Sequence, residues 1–128
     1  MHNEAEIRDL LIDSCHSSKK AQTFFESHAN DKGLLELLIK IAKDDEDHGG
    51  DASMQAAYYA SHFPGNLLAP YESQLRAMLP VVNGYGGHVA LALGKTKSAL
   101  GKQAILEELG DGTRFDAWLF QEALTHYE

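Results

Sequence analysis

Apolar residues recur at steps of three and four along the first part of the chain, and charged residues fill the positions between them. The spacing includes Ile7 and Leu11 near the N-terminus and resumes after Ser18. Residues 30–33 (Asn-Asp-Lys-Gly) then supply a turn. Because helical side chains share a face at these steps, the pattern predicts helix over residues 4–29, as one helix or as two.

The rest of the chain continues the helical pattern. Residues 34–43 are apolar almost all round, which predicts a centrally placed helix. Later helical stretches are separated by turn residues at 63–66, 83–87 and 110–112. One of them carries apolar residues at Leu100, Ala104, Ile105 and Leu109. Since no segment alternates with a period of two, we expect an all-α protein without a sheet.

An internal similarity also supports helices. Residues 54–61 align with residues 87–94 at a shift of 33 positions, matching small or apolar side chains. Residues 87–109, with the run Val-Ala-Leu-Ala-Leu-Gly from 89, resemble a HEAT-type, armadillo-like repeat, and residues 51–79 resemble it less closely. The resemblance implies a single domain over 1–128 that forms a short right-handed α-solenoid of HEAT-like helical hairpins, with about six to eight helices.

One departure from the repeat pattern falls after the first helix of the better copy. The usual aspartate-proline pair is replaced there by Thr96, Lys97 and Ser98. The glycine-rich stretch 83–87 is also unusual between repeats. The number of repeats and their curvature are therefore left open.

Charge narrows the classes of ligand. Nineteen acidic and eleven basic residues give a formal charge of -8, which repels nucleic acid and anionic membranes. The same field favours a basic protein partner. The one cysteine excludes an internal disulfide, and no apolar run approaches a membrane span, so we expect a cytoplasmic protein.

Two segments resemble parts of nucleotide-binding motifs. Gly94, Lys95 and Thr96 match the end of a P-loop, but Val89 stands where its first glycine belongs. Residues 84–87 resemble the start of a dinucleotide fingerprint, but Pro80 interrupts the strand that should precede it. We therefore expect no nucleotide cofactor.

Metal and nucleophile signatures are incomplete as well. The acidic run 44–51 has Gly49 at the third ligand position of an EF-hand loop and Ala56 in place of its bidentate glutamate. Cys15 and His16 point about 100° apart on a helix and cannot form a catalytic pair with each other. The sequence therefore predicts no metal site, no catalytic residue and no enzyme.

A protein-binding surface is the remaining candidate. Aromatic residues are enriched at binding hot spots, and single-sign charge clusters steer partners of opposite charge. Neither the pair Tyr58 and Tyr59 nor the pair Trp118 and Phe120 can turn both rings inward, so some aromatic surface should be exposed. The predicted contact residues are Asp44, Asp45, Glu46, Asp47, Asp51, Tyr58, Tyr59, Tyr85 and Trp118.

In size, acidity and helical pattern, the chain resembles the immunity proteins of bacterial toxin systems such as contact-dependent growth inhibition. The resemblance implies that it binds a basic, nuclease-type toxin domain and blocks its active site. The alternatives are a generic HEAT-like adaptor in a bacterial assembly and, from another class, an enzyme of unknown chemistry on a helical scaffold. The adjacent open reading frame would discriminate among them.

Overall fold

The computed structural model describes residues 2–44, 51–80, 86–110 and 116–128. Within these ranges every regular element is a helix and none is a strand, which confirms the predicted all-α class. In the same ranges, no helix combines the length and the apolar character that crossing a bilayer requires.

The chain divides into two compact units, Met1–Phe63 and Pro64–Glu128. The helices of the first unit are α1 (Glu4–Cys15), α2 (Lys19–Ser27), α3 (Lys32–Ala42) and α4 (Asp51–Ala60). Those of the second are α5 (Gly65–Leu68), α6 (Glu72–Met78), α7 (Gly86–Thr96), α8 (Ala99–Gly110) and α9 (Ala117–Leu124), with short 3-10 turns at Ala69–Tyr71 and Thr125–Tyr127.

Side-chain caps explain where the first three helices begin. The side chains of Asn3, Ser18 and Asp31 accept hydrogen bonds from the backbone N–H groups three residues on. Each bond satisfies a donor that has no partner inside its helix. Residues 4–29 accordingly form two helices, and Ser17 between them has a φ of 70°.

The core of the first unit lies between α3 and α4. Leu34, Leu35, Leu38 and Ile41 of α3 are fully buried, as expected for a helix that is apolar almost all round. On α4 the buried residues are mainly alanines, namely Ala52, Ala56, Ala57 and Ala60. Small side chains let the two helices approach closely, and each buried leucine contributes about 2 kcal/mol.

In the second unit, α7 is the central helix and packs against α9. Gly94 allows this approach, because a Cβ atom there would lie 2.6 Å from the carbonyl oxygen of Ala123. Val89, Ala90 and Leu93 complete the buried face of α7. The segment Gly94 to Thr96, which resembles the end of a P-loop, forms the last turn of α7, as expected for a helix-end turn.

The two units share a helix-turn-helix. Ser17 (φ 70°) separates α1 from α2, and Lys97 (φ 58°) separates α7 from α8. The next residues, Ser18 and Ser98, cap the second helix by accepting bonds from Ala21 N–H (3.2 Å) and Gly101 N–H (2.9 Å). The sequence at 96–98 that departs from the HEAT pattern therefore forms this left-handed turn and cap.

The shared motif relates the halves at a shift of 98 − 18 = 80 positions. The 33-residue shift found in the sequence instead pairs α4 with α7, and its first copy, 51–79, crosses the boundary between the units at Phe63 and Pro64. The helix-turn-helix motif thus occurs once in each unit, at a shift of 80 positions.

Candidate protein-binding surface

The predicted acidic contacts centre on the junction of α3 and α4. Asp44 is two residues beyond the end of α3, and Asp51 is the first residue of α4. Three further predicted contacts, Asp45, Glu46 and Asp47, lie outside the described residues. The structure places the two described aspartates beside different parts of α1, Asp44 at Arg8 and Asp51 at His16, just after the helix.

An ion-pair network links α1 to the C-terminal end of α3 and to Asp44 just beyond it. The Arg8 guanidinium donates to a carboxylate oxygen of Asp44 (2.5 Å) and lies 3.4 Å from Glu4. Lys40 Nζ lies 2.9 Å from the other carboxylate oxygen of Glu4. The hydrogen bond from Lys40, reinforced by the one from Arg8, holds the pKa of Glu4 below its ordinary value. Arg8 consequently offsets part of the negative charge next to Asp44.

Asp51 is more open. Half of its side chain is exposed, and His16 Nε2 lies 3.8 Å from one of its carboxylate oxygens. Partial burial, followed by the charge of Asp51, raises the pKa of the Cys15 thiol. A raised pKa lowers the fraction of the nucleophilic thiolate form.

Negative charge is concentrated in the first unit. Residues 1–63 contain twelve acidic and six basic residues, a formal charge of -6, whereas residues 64–128 contain seven and five, a charge of -2. The two values sum to the -8 of the whole chain. The negative electrostatic field is therefore stronger around the first unit.

A continuous row of rings, which we name the aromatic row, runs through the first unit. Consecutive ring centroids lie between 4.3 and 6.1 Å apart. Its members, in spatial order, are His2, His28, Phe24, Phe25, Tyr59, Tyr58 and His62. Separations in this range are favourable for aromatic pairs.

The predicted tyrosine contacts differ in exposure. Tyr59 is 6% exposed and stacks on Phe25, and burial raises its pKa. Tyr58 is 39% exposed and lies beside the exposed ring of His62. One ring of the pair is thus turned outward, as expected, and Tyr58 is the more exposed of the two.

A pocket of about 470 Å³ lies at the other end of the aromatic row. It is lined by His2, Asp31, Gly33, Glu36, Leu37 and Lys40. His2 Nε2 lies 2.6 Å from Asp31, and this bond and the backbone bond from Leu34 hold the pKa of Asp31 below its ordinary value. Sequence reasoning missed the pocket, since it identified residues 30–33 only as a turn.

In the second unit the predicted contact Trp118 is 65% exposed, whereas Phe120 is fully buried. One ring of this pair is again outward, as expected. Tyr85 lies outside the described residues. Leu100, by contrast, is 56% exposed although its spacing grouped it with the buried Ile105.

The described residues contain no group of three or more histidine, cysteine, aspartate or glutamate side chains arranged to hold a metal ion. Lys95, in the P-loop-like segment, is part-buried, and burial lowers its pKa. The helix around it offers no strand-to-helix loop of backbone N–H groups such as a phosphate requires.

No protein-family model, curated protein or solved structure matches this chain. Function is therefore inferred from the surfaces alone.

Proposed function

We propose that this chain is a protein-binding module whose first unit receives a basic protein partner. The observation that carries the proposal is the charge of -6 on residues 1–63, against -2 on residues 64–128. Five of its carboxylates fall within residues 44–51, at the junction of α3 and α4. A field of this kind accelerates encounter with a cationic surface.

An exposed aromatic side chain on α4 adds apolar contact area to the electrostatic attraction. Tyr58 is 39% exposed on α4, the helix that begins at Asp51. A tyrosine at a contact buries a large ring at little entropic cost, and its face attracts arginine or lysine. The carboxylates within residues 44–51 would provide charge at the rim of the contact, and Tyr58 would provide an apolar anchor.

The specific form that we propose is an immunity protein that blocks the active site of a basic, nuclease-type toxin. A nuclease cleft is cationic because it holds phosphates, so a cluster of carboxylates is complementary to it. We place the encounter in the cytoplasm and propose that the helices stack as a short HEAT-like solenoid. A generic adaptor is the alternative, and neither role requires catalysis.

The test uses the protein encoded by the adjacent open reading frame, mixed with the full chain. We expect a one-to-one complex by calorimetry whose affinity falls at least about tenfold between about 50 and about 300 mM NaCl, because the steering charges are screened. Co-expression should also protect cells from that protein. A complex without protection would favour the adaptor, and the absence of binding would overturn the immunity role.

Matched variants locate the contact. Asp45→Lys with Asp47→Lys should weaken the complex at least about tenfold, because two attractive charges become repulsive. The control, Glu122→Lys with Glu128→Lys, changes the net charge equally at two exposed residues of the second unit. Equal weakening by both pairs would contradict a contact in the first unit.

A further inference from the structure

Few residues of helix α8 are buried. Of its twelve residues, only Gly101 and Ile105 are buried. Leu100 and Leu106 are 56% and 48% exposed. Helix α8 therefore carries two large apolar side chains that its own unit leaves exposed to solvent.

The equivalent helix of the first unit shows that the fold does not need these leucines. Helices α2 and α8 begin with the same turn and serine cap, and their burial classes agree over 19–27 and 99–107 except at the pair Gln22 and Lys102. At the shift of 80, α2 carries Lys20 in place of Leu100 and Glu26 in place of Leu106. The same turn and helix therefore form with polar residues at these positions.

The exposed face of α8 has the spacing of a helix-pairing seam. Ala99, Gln103, Leu106 and Gly110 are all exposed and recur at steps of four, three and four. These are the core positions of a heptad, with a leucine near the centre and small residues at the ends. Leu100 lies at the edge of this seam.

The charges beside the seam indicate what covers it. Lys102 and Glu107, both exposed, flank Leu106 and are five residues apart. In a parallel helix pair, residues on opposite flanks at this spacing face each other across the interface. Two copies of α8 would therefore form the Lys102–Glu107 pair twice, which makes the surface complementary to itself. Helix α2 has Gln22 and Ser27 at these positions and lacks the pair.

We propose that the chain forms a homodimer by parallel pairing of α8 with α8 of a second copy. Leu106 packs on its counterpart, Leu100 covers the edge of the contact, and the reciprocal ion pairs set the register. Within one chain, Lys102 Nζ lies 5.8 Å from the Tyr127 ring centroid and Glu107 accepts a hydrogen bond from Gln103 (3.2 Å), so Lys102 would exchange its contact with the ring for the ion pair. The second unit suits self-association because it carries only -2 of the charge.

The test is sedimentation equilibrium of the full chain from about 5 to about 200 µM in about 150 mM NaCl, where charges are screened beyond about 8 Å. We expect a monomer–dimer equilibrium. The variant Leu100→Lys with Leu106→Glu, which installs the residues of α2, should weaken dimerisation at least about tenfold. A matched exchange on α2, Lys20→Glu with Glu26→Lys, should leave it unchanged.

Charge exchange tests the register. Lys102→Glu alone and Glu107→Lys alone should each weaken dimerisation, because like charges then face each other, and the two combined should restore it. Circular dichroism of each variant checks that the helices are retained. A wild-type chain that stays monomeric, an unaffected leucine variant or a failed restoration would each overturn the proposal.

Discussion

Replacing Gly94 with alanine tests the packing of α7 on α9. Within a helix the change from glycine to alanine is intrinsically stabilising, by about 1 kcal/mol. At Gly94, however, the new Cβ atom would lie 2.6 Å from the carbonyl oxygen of Ala123 and 3.2 Å from the Ala123 Cβ atom. The first separation is too short for any real contact, and because the opposing atom is backbone, α7 and α9 must move apart.

The expected change in the free energy of unfolding combines the gain from alanine in a helix with the cost of the close contact with Ala123. Overpacking that shifts backbone costs about 1–3 kcal/mol or more, so we expect Gly94→Ala to destabilise the second unit by about 1–2 kcal/mol. Urea unfolding followed by the fluorescence of Trp118 measures this, since Trp118 is the one tryptophan of the chain and lies on α9.

The matched control is Gly33→Ala, near the start of α3. There the nearest atom to the new Cβ is Asp31 Oδ1 at 3.4 Å, an ordinary contact. We expect no loss of stability and a gain of up to about 1 kcal/mol, measured by circular dichroism. A Gly94→Ala variant as stable as the wild type would refute the close approach of α7 and α9.

Two further predictions concern capping residues. In urea unfolding, Ser98→Ala should lower the free energy of unfolding by about 1–2 kcal/mol and Ser18→Ala by about 1 kcal/mol. The difference is expected because Ser98 Oγ also donates to Glu72 (2.9 Å), whereas no second bond is described for Ser18 Oγ. Equal losses would contradict this. Because the folded-state pKa of Asp31 is lowered, its stabilising contribution is present above its unfolded-state pKa of about 4 and is lost as the pH falls through the folded value. Asp31→Asn should therefore flatten the acid side of the stability profile measured by circular dichroism between about pH 6 and about pH 2, and an unchanged slope would count against the His2–Asp31 bond.

Local signals identified the helices because their causes are local. The stripe at Ile7 and Leu11 follows from helical periodicity alone, and both residues are buried. The periodicity did not show whether residues 4–29 form one helix or two. In the structure, the left-handed backbone of Ser17 separates α1 from α2. Residues 32 and 33, interpreted as a turn, belong to α3 because the Asp31 side chain caps the helix just before them.

The candidate surfaces were harder to predict from the sequence. The pairing of His2 with Asp31 joins residues 29 apart, and no local pattern marks such a contact. Leu100 looked like a core residue because periodicity groups it with Ile105, yet it is 56% exposed. Periodicity defines a stripe on a helix, whereas neighbouring helices determine how wide a part of that stripe is covered.

The amino-acid sequence by itself determined the all-helical class, the approximate positions of most helices and the excess of negative charge. These properties depend on near-neighbour residues and on composition, which require no knowledge of distant contacts. Only the tertiary structure decided that Tyr58 and Trp118 are outward while Tyr59 and Phe120 are buried. It alone showed that α2 and α8 are equivalent helices with different outer faces, because burial depends on which segments far apart in the chain pack together.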